Sequence, residues 1–167
     1  MSTETKAIIK VGISDAKVAR APYILKTTGL GSCVGIVIYN PFSNVAGMAH
    51  IMLSESKMAK KNDFNPMKYA DTAIDYLFRT LVEEGMNKHG MKAIIVGGAQ
   101  MFRFKTSSDL MRIGPRNTEA VKLEMKKRGV PVIAEETGGS NGRTIEFNIE
   151  SYELTVKTVN AGEKVLK

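Results

Sequence analysis

Short apolar runs separated by polar turns dominate the first third of the chain, and this pattern is typical of β-structure. Residues 7–11 and 23–26 predict two short strands, with the polar stretch 14–20 as their connection. The apolar run 33–39 is too short and too rich in β-branched residues for a helix, which favours a buried strand. A turn containing proline follows, and residues 45–53 then predict the returning strand of a hairpin.

Two later segments carry helical signals. In the first, apolar side chains recur at steps of three and four residues and form one stripe, which consists of Ala70, Ala73, Ile74, Leu77, Leu81 and Val82. Asn65-Pro66 predicts the N-cap and first position of this helix, and Gly85 or Gly90 predicts its end. In the second segment, Asn117 predicts the N-cap and Gly129 predicts the end.

Further apolar or alternating segments predict four more strands, at 93–96, 130–136, 144–148 and 154–159. Many of the predicted strands are joined by hairpins rather than by helices, which argues against a doubly wound parallel sheet. The pattern therefore predicts an α+β fold, a layered mixed β-sheet core with flanking helices. No repeat, low-complexity block or linker interrupts it, so we expect one domain over residues 1–167.

The composition is that of an ordinary globular protein, and 167 residues suffice for a hydrophobic core without covalent cross-links. One cysteine excludes an internal disulfide framework, and one cysteine with two histidines excludes a cysteine-rich zinc module. The aspartates show no metal-ligand spacing, and the glycine turn at 29–32 lacks the lysine of a phosphate loop, so we predict neither a metal nor a cofactor. The absence of a long apolar run and of a secretory signal predicts a cytoplasmic protein without membrane insertion.

The charge is positive, because 24 Lys and Arg outnumber 17 Asp and Glu and give a formal net charge of +7. This balance favours acidic partners. The lysines are dispersed, with short clusters at 57–61 and 126–128 and few aromatic residues between them. We interpret them as solvated faces and predict no nucleic-acid site.

Candidate chemistry centres on Cys33 and His50, which lie on opposite strands of the predicted hairpin. If Asn40 pairs with Ser43 across a tight turn, the same register sets Cys33 directly opposite His50. Opposed Cβ atoms of antiparallel strands are about 4.5–5.5 Å apart, within reach of a thiolate–imidazole pair. In such a pair the imidazole lowers the pKa of the thiol and activates the nucleophile. A slip of one residue would turn the two side chains to opposite faces.

Two neighbouring features would complete such a site. Thr27 and Thr28 are candidates for orienting the imidazole, and the backbone N–H groups of residues 29–32 offer donors to an oxyanion. The alternative interpretation is structural: a lone cysteine at the head of an apolar strand serves as a small core residue, and His50 serves as a hydrogen-bonded buried histidine. The residues alone leave both interpretations open.

Six short segments carry a family resemblance. They are GLGSC at 29–33, GMAH at 47–50, KYAD at 68–71, GGAQMF at 97–102, IGPRN at 113–117, and Gly138-Gly139 with Gly142-Arg143. In this order and spacing they resemble the CheD family, the chemoreceptor glutamine deamidases of bacterial and archaeal chemotaxis. The similarity extends from about Val11 to Asn148. Each segment alone is a weak signal, whereas six in sequence are highly specific.

The resemblance implies an α+β fold related to the catalytic domain of deamidating bacterial toxins. It also implies a Cys-His-Thr triad, with Cys33 as nucleophile, His50 as base and Thr27, six residues before the cysteine, as the orienting residue. Thr28 stays the weaker candidate for that last role. The implied reaction is hydrolysis of selected glutamine side-chain amides on methyl-accepting chemotaxis receptors, which gives glutamates and ammonia and needs no cofactor.

The partners that the resemblance implies are the receptors, as protein substrate, and the phosphatase CheC, which many family members bind. A second hypothesis is a non-catalytic binding module for receptors or CheC, in which Met101, Phe102 and Phe104 anchor a partner helix. A third is a thiol protease or transamidase that uses the same cysteine and histidine.

Overall fold

The computed structural model describes residues 7–60, 64–100 and 112–167. Within them the chain forms two α-helices, α1 (Ala70–Glu83) and α2 (Ile113–Lys127), and short 3₁₀ turns at Ser56–Met58 and Pro66–Lys68. The strands of the same residues are β1 (Ile8–Lys10), β2 (Asp15–Arg20), β3 (Ile24–Leu30), β4 (Val34–Tyr39), β5 (Val45–Ile51), β6 (Lys92–Gly97), β7 (Val132–Thr137), β8 (Arg143–Asn148), β9 (Glu153–Thr158) and β10 (Gly162–Leu166).

The strands form two mixed sheets of five strands each. The first sheet has the order β1-β3-β8-β9-β10, and the second has the order β2-β5-β4-β6-β7. The pairs β1–β3 and β6–β7 are parallel, and the remaining pairs are antiparallel. The predicted hairpin β4–β5 lies inside the second sheet, so every residue of both strands is buried.

Alternate residues of the second sheet face two separate cores. The inter-sheet core fills the space between the sheets, and its buried members include Leu25, Leu30, Val37, Tyr39, Ala46, Met48, Ile94, Val96, Ile145, Phe147, Leu154 and Val156. The helix-side core lies under α1 and α2, and its buried members include Val34, Ile36, Ile38, Ala49, Ile51, Ile74, Leu77, Leu81, Ile95, Val121 and Met125. Sheet, sheet and helices therefore form three layers, and the predicted α+β layered fold is confirmed.

Helix α1 buries most of the predicted apolar stripe, but it begins later than predicted. Asn65 caps the 3₁₀ turn at Pro66–Lys68 by accepting a hydrogen bond from the Met67 N–H, and α1 starts at Ala70. Gly85 follows the helix with a φ of 100°, as the glycine signal predicted. No helix within the described parts of the chain is long and apolar enough to cross a membrane.

Helix α2 begins at Ile113, so the prediction of Asn117 as its N-cap is wrong. Pro115 lies in the first turn, where a missing N–H costs no helical hydrogen bond. Asn117 is instead inside the helix and only 1% exposed. Its side chain bonds to backbone carbonyls outside the helix.

Two edge strands depart from the sequence prediction. The stretch Asp15–Arg20, interpreted as a polar connection, is strand β2 and pairs antiparallel with β5. Strand β10 was not predicted, and it pairs with β9. Both strands lie at the edge of a sheet, where polar side chains face solvent and weaken the apolar signal.

Candidate active site

The buried side chain of His50 lies on β5 and is hydrogen-bonded across to the other sheet. Its Nδ1 is 2.7 Å from the Oγ1 of Thr27, which belongs to β3. Thr27 is 2% exposed and His50 has no exposed surface, so this bond is closed to solvent. The neighbouring Thr28 is exposed. Of the two candidate threonines, Thr27 is therefore the one that contacts the imidazole.

The same hydroxyl determines which nitrogen of His50 carries the proton. Thr27 Oγ1 is also 2.7 Å from the carbonyl oxygen of Val11, which can only accept a hydrogen bond. The hydroxyl has one proton, so it donates to Val11 and accepts from the Nδ1–H of His50. Nε2 then carries the lone pair. It is buried and has no hydrogen-bond partner among the described residues.

The register of the β4–β5 hairpin differs from the prediction. His50 pairs with Gly35, so Cys33 is not directly opposite His50. Asn40–Ser43 is a turn inside the loop and not the closing pair, so the loop is longer than a tight turn. Each residue of β4 therefore pairs with a residue of β5 that lies two positions further along the chain than predicted. A shift by two residues leaves every side chain on its predicted face.

Cys33 and His50 share the face of the second sheet that looks toward the first. His50 alternates with Met48 and Ala46 of the inter-sheet core, and the partly buried Cys33 packs against that same core. With His50 opposite Gly35, Cys33 is its diagonal neighbour across the hairpin. Diagonal residues are about 7–8 Å apart at Cα and closer at Cβ.

The segment that carries Cys33 is held in place by backbone hydrogen bonds. A bulge in β3 between Thr27 and Leu30 contains Gly29, whose φ is 72°, and turns the chain toward Cys33. The N–H of Gly98 then bonds to the Cys33 carbonyl at 2.8 Å, and the N–H of Ala99 bonds to the Gly31 carbonyl at 2.9 Å. The two residues after β6, Gly98 and Ala99, thus anchor the segment that carries Cys33.

One of the predicted oxyanion donors is already used. The N–H of Gly31 bonds to the Gly29 carbonyl at 3.1 Å. The N–H of Cys33 faces its own sulfur. The N–H of Gly31 is therefore not free to bind an oxyanion at the sulfur.

Burial favours the neutral forms of the Cys33 thiol and the His50 imidazole. Burial raises the pKa of the Cys33 thiol, although the bond from its own backbone N–H opposes this. Burial lowers the pKa of His50 to about 4. Both directions favour a thiol beside a neutral imidazole, which differs from the ion pair that the sequence suggested.

A thiol, an imidazole with a free Nε2 and a hydroxyl on Nδ1 are the groups that cysteine-dependent hydrolases use for acyl transfer. The described residues contain no group of three or more His, Cys, Asp or Glu side chains that could hold a metal ion. Sequence reasoning missed the Val11 carbonyl, since a backbone acceptor leaves no signature in the sequence. It also misjudged Asn117, which a helix-cap signal had obscured.

Comparisons with known proteins identify the family. The model of the family described as CheD chemotactic sensory transduction matches residues 52–158. A chemoreceptor glutamine deamidase CheD of Halalkalibacterium halodurans is 52% identical over 157 residues, covering 94% of this chain and 97% of the relative. One of Bacillus subtilis is 48% identical and covers 99% of this chain and 100% of the relative. The chain belongs to the CheD family, which confirms the resemblance seen in the sequence.

A solved structure supports the fold independently. A Neisseria meningitidis protein of the DUF152 family superimposes with a TM-score of 0.50 at 12% sequence identity. The match covers 81% of this chain and 65% of that one. At this identity the similarity concerns the fold alone.

Proposed function

We propose that this chain is a chemoreceptor glutamine deamidase, which hydrolyses selected glutamine side chains of methyl-accepting chemotaxis receptors to glutamates and releases ammonia. Membership of the CheD family and two relatives named for this activity, each matched over nearly the full chain, support the substrate class. The proposed site residues are Cys33 as nucleophile, His50 as base and Thr27 as the residue that orients the base.

The observation that carries the proposal is the proton arrangement around His50. Thr27 accepts from Nδ1 and donates to Val11, so Nε2 is an unprotonated nitrogen on the same face as Cys33. A structural histidine would have both nitrogens hydrogen-bonded, whereas Nε2 has no partner among the described residues. A buried, unpaired lone pair beside a thiol is suited to accept the thiol proton.

The reaction follows from these groups. Nε2 of His50 takes the proton from Cys33 as the sulfur attacks the glutamine Cδ, because both groups start neutral. His50 returns that proton to the departing nitrogen, and ammonia leaves behind a thioester. Water then attacks the thioester, gives its proton to Nε2 and releases glutamate, after which the proton returns to the sulfur.

The test is ammonia release from a purified receptor cytoplasmic fragment, with mass spectrometry to locate the glutamates formed. Cys33→Ala should reduce turnover by several orders of magnitude, since it removes the nucleophile. Its thermal stability should match that of the wild type. Wild-type turnover in a folded Cys33→Ala variant would rule out the thiol mechanism, and peptide-bond cleavage or amine incorporation in the products would favour the protease or transamidase alternative.

We further propose a CheC-type phosphatase as a second partner. The family resemblance supports this partner, and the predicted anchor residues Met101, Phe102 and Phe104 lie outside the described residues. Binding should not depend on the reaction, so Cys33→Ala should bind CheC as tightly as the wild type does in titration calorimetry. A chain that binds CheC normally but never releases ammonia from receptors would instead be the non-catalytic module.

A further inference from the structure

Asn117 of α2 connects the two chain segments that lie next to Cys33 and His50. Its Nδ2 donates one hydrogen bond of 3.0 Å to the carbonyl of Ser32 and another of 2.8 Å to the carbonyl of Met52. Ser32 directly precedes Cys33, and Met52 follows His50 by two residues. One buried amide group therefore bridges the backbone beside the thiol and the backbone beside the imidazole.

The chemistry of the bridge requires an NH₂ group. Two carbonyl oxygens can only accept, so the group between them must supply two donors, and a primary amide nitrogen does so. The Oδ1 of Asn117 is buried without a hydrogen-bond partner among the described residues. Both N–H donors of the side chain are thus hydrogen-bonded, whereas its oxygen is left without a donor, at a cost in stability.

Helix α2 is itself docked against the backbone that anchors Cys33. A side chain at Gly114 would collide with the Ala99 carbonyl, and one at Gly98 would collide with the Thr118 hydroxyl. These two glycines permit the helix to approach the chain after β6 closely. Since Gly98 donates to the Cys33 carbonyl, helix, glycine turn and cysteine segment form one hydrogen-bonded unit.

We propose that Asn117 is a positioning residue of the active site, which sets the separation of Cys33 and His50 by holding the backbone on either side of them. It does not touch the reacting atoms. A site that depends on proton transfer between two neutral side chains is sensitive to their spacing, and a displacement of about 1 Å can reduce the rate about 10²-fold. The proposal rests on the proposed function for its turnover readout only.

Asn40 offers a matched control at the opposite end of β4. It is also 1% exposed, and its Nδ2 also donates to two backbone carbonyls, those of Asn87 and His89, at 3.0 and 3.1 Å. The substitutions Asn117→Asp and Asn40→Asp each replace a double donor by a group of the same shape that accepts. Both should lower the melting temperature, whereas only the first lies next to the reactive pair.

Two readouts separate positioning from stability. At a temperature well below each melting transition, Asn117→Asp should reduce kcat for the receptor fragment roughly 10- to 100-fold with KM within about twofold. Because Nε2 of His50 takes the thiol proton as the sulfur attacks, His50→Ala should slow the alkylation of Cys33 by iodoacetamide at neutral pH, and Asn117→Asp should slow it in the same direction. Asn40→Asp should retain both the turnover and the alkylation rate. Asn117→Ala, which is compatible with a helix, repeats the test without a carboxyl group.

The outcomes distinguish this proposal from the proposed function. Alkylation needs no receptor, so an alkylation rate that depends on Asn117 in a protein that releases no ammonia from receptors would contradict the function and support the positioning role. Wild-type alkylation and turnover in both Asn117 variants would overturn the positioning role. Equal losses in Asn40→Asp would overturn it too, as would failure of both Asn117 variants to fold while Asn40→Asp folds.

Discussion

Thr27 performs two tasks with one hydroxyl, and the threonine side chain suits both. Its proton goes to the Val11 carbonyl and its lone pair receives the proton of His50 Nδ1. An aspartate in this place would offer His50 a stronger acceptor but could donate nothing to Val11 when ionised. A neutral acceptor also suits a histidine whose pKa burial lowers to about 4.

Thr27→Val should therefore impair the reaction while preserving the strand. The substitution keeps the β-branched shape but leaves the Val11 carbonyl and the His50 N–H without their partner. We expect kcat for ammonia release to fall at least about tenfold with KM changed little. The exposed Thr28→Val is the control and should behave as the wild type does. Equal turnover in the two variants would refute the assignment of Thr27.

Individual residues were predictable from the sequence to different degrees. Cys33, His50 and Thr27 were predicted because each residue type suggests a chemical role and the family resemblance covers all three, and the structure shows the contact between Thr27 and His50. The choice between Thr27 and Thr28 needed the inward face of β3, on which Thr27 follows the buried Leu25 while Thr28 is exposed. Asn117 was misread because asparagine is common both at helix caps and in buried bridges, and only packing distinguishes them.

The last residue of β6 and the residue after it contact the segment that carries Cys33. Gly97 has a φ of 114°, and a side chain there would collide with the Cys33 carbonyl. The next residue, Gly98, donates to that same carbonyl. The carbonyl of Gly97 in turn accepts from Arg143 of β8 at 3.2 Å and from the Gly138 N–H at 3.0 Å. Strand ends from both sheets thus support the cysteine segment.

Gly97→Ala should reduce activity by displacing Cys33, the proposed nucleophile. The variant combines backbone strain at positive φ with a collision against Cys33, so we expect kcat to fall more than about tenfold. Gly129→Ala is the control, because Gly129 also has a positive φ, 67°, but has open space where the side chain would lie. That control should lose about 1–2 kcal/mol of stability and keep its kcat. Comparable activity of the two variants would show that Cys33 is not positioned by Gly97.

Elements with a strong apolar pattern were predicted better than those without one. The hairpin β4–β5 and the stripe of α1 are buried, so burial left a clear signature in their sequences. Strand β2 was not predicted, because it lies at a sheet edge, where polar side chains weaken the apolar pattern. The hairpin register was wrong by two residues because both faces of β4 and β5 are apolar, and such a pattern does not specify which residues pair.

At the scale of the whole molecule, the buried His50, the proposed base, makes folding stability depend on pH. Its pKa of about 4 in the folded protein lies below the ordinary value of 6.5. Between these pH values the unfolded chain binds a proton at His50 and the folded protein does not. The contribution of His50 to the free energy of unfolding is therefore fully present above pH 6.5 and is lost as the pH falls toward 4.

Urea unfolding at neutral pH and near pH 4 should detect this contribution. At about 1.36 kcal/mol per pKa unit, His50 should account for roughly 3 kcal/mol of the stability lost on acidification. His50→Gln should lack that part of the pH dependence, and the carboxylates, which titrate in both proteins, cancel in the comparison. Parallel pH profiles for the two proteins would mean that the pKa of His50 is the same in the folded and unfolded states.

The hydrogen bond between Thr27 and His50 joins one sheet to the other across the inter-sheet core. Its length therefore depends on the volume of the side chains that hold the two sheets apart. A larger side chain at Met48 or Ile145 would force the sheets apart, whereas a smaller one would let them approach. Either change alters the distance over which the threonine must reach. Substitutions in this part of the core therefore preserve the length of the bond only when their volume changes compensate one another.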